Sequence, residues 1–236
     1  MMWMIPAVYA MPALYFVTPE GVDYANVHSN IEFQSWIATL PNLEVPTQST
    51  NAQKAFWINV YNGLTIQTVA ENMPINSIRE LDNGQVWTAR NFVVAGQTLT
   101  LDTIEKNILG KFNDPRIHSA LNCASKGCPP LFERPFTEAN LDAELDLVSE
   151  RWVQSGGFTY EDGWFGNTIS LSTIFDWYKS DFPCDTTKPI SKSVSKEYCG
   201  ALQFISRYYP EYRTMIENSS YDIEFKPYDW SLNSIR

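Results

Sequence analysis

The sequence has few positive charges. Its 236 residues include 17 lysines and arginines against 27 aspartates and glutamates, which gives a formal net charge of −10 at pH 7. Proteins that bind nucleic acid need a cationic surface to contact phosphates, so this balance argues against a nucleic-acid partner. It also argues against electrostatic attachment to anionic lipid.

Long apolar runs and glycine-rich loops are also missing. No unbroken apolar stretch approaches the roughly 20 residues that span a bilayer, so no transmembrane segment is predicted. The chain shows no β-α-β alternation and no glycine-rich phosphate loop. A Rossmann or P-loop nucleotide site is therefore not expected, and we predict no cofactor.

Apolar and aromatic residues are abundant, at 44% and 14% of the chain. This composition excludes disorder, collagen and coiled coil as descriptions of the whole. Helical periodicity dominates, and residues 50–72 are apolar on nearly every side, which is typical of a central buried helix. We predict a mainly helical α+β fold, with about seven helices around helix 50–72 and two or three short strand pairs.

The N-terminal residues 1–19 form an apolar segment. Residues 1–16 contain no lysine or arginine, and Pro6 and Pro12 interrupt them. A signal peptide needs a cationic start and a longer apolar run, so this is not a convincing one. We interpret the segment as packed on the core or as the stub of a precursor. Residues 20–236 are predicted to form a single domain.

The densest reactive stretch, residues 114–131, contains His118, Cys123 and Cys128. A helix here is predicted to stop near Asn122. One interpretation is a cysteine nucleophile activated by the histidine. A second is a metal site with Cys and His ligands. A third is structural, with the two cysteines buried or joined in a disulfide. The spacing leaves all three open.

Two asparagines share one face of the apolar helix 50–72. Asn59 and Asn62 are three residues apart, and buried amides need hydrogen-bond partners. They either bind a substrate or an oxyanion, or brace a neighbouring loop.

Three acids near element ends are further candidates, Glu105, Asp176 and Asp181. Glu105 follows Asp102 at the spacing of a helix-capping box, which is a structural role. Asp176 lies among bulky apolar residues, where it either orients His118 as the third member of a triad or forms an ion pair with Arg116. Cys184 and Cys199 lie across a proline-rich loop, and either a disulfide or two free thiols fits them.

Several motifs together resemble a known family. AFWINVYNGLTIQ (residues 55–67), LTLDTIEKNIL (residues 99–109), DPRIHSALNCASKGCPPL (residues 114–131) and LSTIFDWYKSDF (residues 171–182) occur in the order seen in the domain-of-unknown-function 547 family. Many of its bacterial members look exported, so the resemblance implies an exported or periplasmic protein. The family's signature positions correspond to Trp57, Asn59, Tyr61, Asn62, Glu105, Arg116, His118, Cys123, Ser125, Cys128, Pro129 and Asp176.

This signature is richer in reactive groups than a packing core requires. We therefore predict a cysteine-dependent hydrolase or acyl transferase acting on a small molecule or peptide, with Cys123 as nucleophile and His118 as base. Asp176 or Glu105 would orient the histidine. The predicted binding residues are Asn59, Asn62, Tyr61, Arg116, Ser125 and Cys128. The alternatives are a non-catalytic, disulfide-stabilised binding module and a Cys/His metal-binding protein.

Overall fold

The computed structural model describes residues 10–164, 166–191 and 195–235. Within these residues helices dominate, so the predicted mainly helical α+β class is confirmed. The α-helices are α1 Tyr24–Val27, α2 Ile31–Thr39, α3 Thr50–Glu71, α4 Val86–Ala89, α5 Ile117–Ala120, α6 Leu141–Trp152, α7 Ile174–Trp177, α8 Cys199–Tyr208 and α9 Arg213–Asn218. Two π-helical segments, Thr103–Ile108 and Val153–Gly157, add to them. Four of the α-helices have only four residues, and helices that short cannot be recognised from sequence periodicity alone.

Strands form three small sheets within the described residues. The strands are β1 Val17–Thr18, β2 Gly21–Val22, β3 Phe92–Val94, β4 Gln97–Leu99, β5 Phe158–Gly163, β6 Gly166–Ser172 and β7 Tyr221–Lys226. The pairs β1–β2, β3–β4 and β5–β6 are antiparallel, whereas β7 adds to β6 in parallel. The antiparallel pairs agree with the two or three short strand pairs predicted, but the parallel addition of β7 was not predicted.

Helix α3 is the central element, as predicted. Ser49 caps its first turn by accepting a hydrogen bond from the Ala52 amide at 3.0 Å. Seventeen of its 22 residues are buried. Because every side of this helix packs against protein, any polar side chain on it must find a partner within the fold.

Two apolar clusters form the core. The first surrounds α3 and draws on residues 11–148 together with Leu232. The second is built from residues 152–221, on α8, α9 and the three-stranded sheet. Helix α6 contributes to both clusters, since Val148 belongs to the first and Trp152 to the second.

The two ends of the described chain pack on this core. Met11, Leu14 and Phe16 are buried in the first cluster, while residues 1–9 of the predicted apolar segment lie outside the described residues. Among the described residues, no helix has both the length and the apolar character needed to cross a lipid bilayer.

The C-terminal tail after β7 covers the loop that holds Cys123 and Cys128. The Gly127 amide donates to the Asp229 carbonyl at 2.9 Å, and the Lys126 amide donates to the Ser231 carbonyl at 2.9 Å. A Cβ at Gly127 would lie only 2.9 Å from the Tyr228 ring, so glycine permits this close approach. The tail therefore brings its aromatic side chains against the reactive stretch.

Candidate functional site

A cavity of about 410 Å³ opens where the reactive stretch meets the tail. Six parts of the chain line it: α3, the helical turns at residues 84–88, residues 102–105, the stretch 118–129, residues 174–178 and the C-terminal tail. The lining includes Tyr61, Trp87, Asp102, Glu105, His118, Cys123, Cys128, Trp177, Tyr178, Tyr228 and Trp230. The structure thus brings together five of the predicted site residues: Tyr61, Glu105, His118, Cys123 and Cys128.

Glu105 reaches this cavity from a π-helical segment. The predicted capping box is wrong, because the Asp102 side chain caps nothing and Thr100 Oγ1 instead accepts from the Thr103 amide at 3.1 Å. The Glu105 carboxylate is free of the helix end and accepts a hydrogen bond from the Tyr61 hydroxyl at 3.0 Å. Single-turn π-helices are frequent at functional sites, because they re-aim a side chain that a regular helix would place elsewhere.

Tyrosines surround this carboxylate. Burial raises the pKa of Tyr61 and Tyr178, and the negative charge of Glu105 raises both further. Burial also raises the pKa of Tyr228, to about 12. All three phenols therefore keep their protons at neutral pH and cannot supply a second negative charge.

Glu105 has no salt-bridge partner among the described residues. The neighbouring Lys106 pairs with Asp102, and the nearby His118 pairs with Asp181. The cavity therefore contains a half-buried carboxylate that forms no salt bridge within the described chain, although the charge of Lys106 is near enough to interact with it.

His118 and Cys123 both line the cavity because α5 is short. The helix ends at Ala120, and Leu121 is extended, close to the predicted stop near Asn122. The His118 ring packs 4.3 Å from the Tyr178 ring, and its Nε2 lies 3.0 Å from Asp181 Oδ2. This hydrogen bond to His118 lowers the pKa of Asp181.

The prediction that Asp176 or Glu105 orients His118 is therefore wrong. Asp176 accepts a hydrogen bond from the Tyr198 hydroxyl at 2.9 Å and lies 3.5 Å from Lys179 Nζ. Asp181 is five residues further along, and the short helical turn of residues 179–181 carries it to the histidine. The sequence showed an acid near this element end but not which of the two would reach His118.

Cys123 and Cys128 form a disulfide, and Cys184 and Cys199 form another. The chain reverses after α5 through Ala124, whose φ of +60° is left-handed, and this brings the first pair to a Cα–Cα distance of 6.2 Å. That distance suits a disulfide. The predicted nucleophile Cys123 is consequently not a thiol in this structure.

The Cys123–Cys128 disulfide is covered by hydroxyl groups. The Tyr228 hydroxyl lies 2.9 Å from Cys123 Sγ and 2.8 Å from Ser125 Oγ. Ser125, predicted to bind an oxyanion, is buried and directs its hydroxyl at Tyr228 and the two sulfurs. Its role here is to hold the loop against the tail.

Asn59 and Asn62 brace the backbone instead of facing the cavity. Asn62 donates to the Ala120 carbonyl at 2.8 Å and accepts from the Asn122 amide at 2.9 Å. Asn59 makes the same pair of bonds to the two backbone groups of Phe136, at 2.8 and 2.9 Å. Each amide donates one bond to the backbone and accepts one from it, so their predicted role in substrate binding is not what the structure shows. The alternative, a loop brace, describes them.

Arg116 also lies outside the cavity lining. Its guanidinium forms ion pairs with Asp114 at 2.8 Å, Asp142 at 2.8 Å and Asp146 at 3.1 Å, and so ties the start of α5 to α6. Asp114 is held by Lys54 as well, at 2.9 Å. Burial by itself raises the pKa of Asp114, but the hydrogen bonds from Arg116 and Lys54 outweigh it and bring the pKa to about 2.

Part of the sequence matches a known protein family. Residues 46–153 match the model of a family described as "Protein of unknown function, DUF547". Residues 46–153 are thus similar to the DUF547 family, over a little less than half of the chain. Comparisons with curated proteins and with solved structures gave no match. The predicted family assignment is confirmed.

The DUF547 match covers only part of the cavity lining. Tyr61, Trp87, Glu105, His118 and the Cys123–Cys128 disulfide lie within residues 46–153. Trp177, Tyr178, Tyr228 and Trp230 follow that range and complete the lining. The cavity is thus assembled from the DUF547 segment and the chain that follows it.

Sequence reasoning missed the aromatic side of the cavity. We call Trp87, Trp177, Tyr228 and Trp230 the aromatic wall. Its rings pack on one another, with centroids 4.4 Å apart for Tyr228 and Trp230 and 5.8 Å for the stacked pair Trp177 and Trp230. Trp177 is 48% exposed although its neighbours Ile174 and Phe175 are buried. Aromatic residues next to charged ones, in FDWYKSD and KPYDWS, were the available signal.

Proposed function

We propose that this DUF547 domain is a non-catalytic, disulfide-stabilised binding module that takes a small molecule or a peptide side chain in the cavity. The observation that carries the proposal is the pairing of Cys123 with Cys128 at the cavity wall. A cysteine nucleophile must be a thiolate, and a sulfur in a disulfide is not available for that role. The Tyr228 hydroxyl packed on both sulfurs further supports a structural pair.

The disulfide also weakens the metal-binding alternative. Cysteine ligates zinc as a thiolate, so both sulfurs would have to be released first. Within residues 10–164, 166–191 and 195–235, no three His, Cys, Asp or Glu side chains are grouped as a metal site would require. His118, the remaining ligand of that hypothesis, is paired with Asp181.

The lining of the cavity supports binding. Small-molecule sites are concave and mostly apolar, with a few polar groups that fix the ligand's orientation, and typical volumes are roughly 300–1,000 Å³. The cavity here is lined by the aromatic wall and by Glu105 with Tyr61 and Tyr178. Two disulfides also favour an oxidising compartment, in line with the exported location that the family resemblance implies.

Cysteine chemistry tests this proposal. We would treat the native, unreduced protein with iodoacetamide at mildly acidic pH and map the modified peptides. The proposal predicts no modified cysteine, and peptides 123–128 and 184–199 cross-linked until a reductant is added. Cys184 and Cys199 serve as the internal control, because their disulfide lies outside the cavity lining.

One result would overturn the proposal. Fast alkylation of Cys123 without reductant, slowed by His118→Asn, would demonstrate an activated thiolate and restore the cysteine enzyme. The substitution itself removes only the ring that pairs with Asp181, so a slower reaction would report on the histidine's effect on the thiol.

A further inference from the structure

The cavity places a carboxylate that makes no salt bridge beside aromatic rings. Glu105 accepts a hydrogen bond from Tyr61 and has no salt-bridge partner among the described residues, whereas Asp102, which lines the same space, pairs with Lys106. As far as the structure describes the chain, the lining contains no lysine or arginine, and its histidine is bonded to Asp181. A ligand that enters here meets carboxylate oxygens without having to displace a protein cation from Glu105.

The aromatic wall also attracts cations. Its rings come from three distant parts of the chain, and all four side chains line the cavity. The negative face of an aromatic ring attracts a cation lying within about 6 Å of its centre, and tryptophan does so best. The Arg79 guanidinium already lies 4.9 Å from the centre of the Trp230 ring, so the wall holds one cation of the protein itself.

Resting on the binding function proposed above, we infer that the ligand is an organic cation, a substituted ammonium group held between Glu105 and the aromatic wall. Carboxylate and indole both stabilise such a group, and neither has to lose a proton or change partner to do so. An anionic ligand would be repelled by Glu105 and by the net charge of −10. A neutral ligand would leave Glu105 without a salt-bridge partner.

The direct test compares a cation with its neutral isostere. Choline and 3,3-dimethylbutan-1-ol have nearly the same shape, but only choline is charged. We would measure both by calorimetric titration of the intact protein, and we expect choline to bind at least ~10-fold more tightly, a discrimination of about 1.4 kcal/mol. Phosphocholine and a trimethyllysine peptide distinguish the two sources of this chemistry. The extra anion should weaken phosphocholine relative to choline.

Matched variants locate the site. Glu105→Gln keeps the side chain's shape and should lower the affinity for choline ~10-fold while leaving the neutral isostere unchanged. Trp177→Leu should weaken the binding of choline by a similar factor. Glu161→Gln and Trp164→Leu make the same chemical changes on the β5–β6 hairpin, outside the cavity lining, and should leave the affinity for choline as it is.

The cationic ligand and the proposed binding function can fail independently of each other. Equal affinity for choline and its isostere, tighter binding of a neutral sugar, or no binding of any substituted ammonium compound would overturn the cationic ligand. None of these results would release a cysteine thiol, so the alkylation experiment decides separately whether the domain is a binding module.

Discussion

Two carboxylates in the segment before α5 have opposite surroundings. Asp114 is nearly buried and lies between two cations, Lys54 at 2.9 Å and Arg116 at 2.8 Å. Glu105 is half-buried, accepts a hydrogen bond from a tyrosine and forms no salt bridge in the described chain. Removing one partner from a buried ion pair leaves the other charge uncompensated. We therefore infer that Asp114 stabilises the fold, whereas Glu105 is available to bind a ligand.

The largest expected effect is that of Asp114→Asn. It leaves Lys54, which is also buried, and Arg116 without their shared partner. We expect a loss of about 3 kcal/mol in the free energy of unfolding, the lower end for a broken buried pair. Urea denaturation at pH 7 measures it. Asp142→Asn removes an exposed partner of the same Arg116 and should cost less than about 1 kcal/mol. Equal losses in the two variants would show that burial of Asp114 adds nothing.

The pH dependence of stability also tests whether Asp114 stabilises the fold as a charged group. The pKa of Asp114 is lowered to about 2 in the folded protein, against an ordinary value of 3.8 for an aspartate side chain. A lowered pKa contributes stability above the unfolded value, and that contribution is lost as the pH falls through the folded value. The difference in stability between the parent protein and Asp114→Asn should therefore shrink from pH 4 to pH 2. A difference that stays constant over this range would contradict the assignment.

A smaller effect is expected for Asn62→Ala. The change removes two hydrogen bonds to buried backbone groups of Ala120 and Asn122, and a buried unsatisfied group costs about 1–3 kcal/mol. We expect a loss of about 2 kcal/mol, measured by the same denaturation. Asn51→Ala, which removes one exposed bond to Asp142, is the control and should change stability by less than about 0.5 kcal/mol. If Asn62→Ala were neutral, the asparagine would not be the brace described here.

Much of the fold follows from local pattern. The all-round apolar character of α3 marks it as central, and the alternation around Gly96 and in residues 158–171 marks two hairpins. The parallel pairing of β7 with β6 joins residues more than 50 positions apart, and no local pattern encodes it. Local reasoning also took Asp102 and Glu105 for a capping box, because a π-helical segment was not foreseen.

The residues of the candidate site were also only partly predictable from the sequence. His118 stood out in the short reactive stretch 114–131 and Glu105 as an acid near an element end, whereas Tyr61 was selected only through the family resemblance. Sequence reasoning did not select Trp87, Trp177 or Trp230, whose proximity depends on how distant segments pack. The spacing of Cys123 and Cys128 fits a nucleophile, a metal site or a disulfide, and only the reversal of the chain at Ala124 distinguishes them.

The measurement that tests the central claim most directly is the unfolding free energy of Glu105→Gln at pH 7, beside that of Asp114→Asn. If Glu105 is held for a ligand, the amide can still accept the hydrogen bond from Tyr61, and stability should change by less than about 1 kcal/mol. A loss of about 3 kcal/mol, equal to that expected for Asp114→Asn, would show that Glu105 serves the fold and would contradict the account.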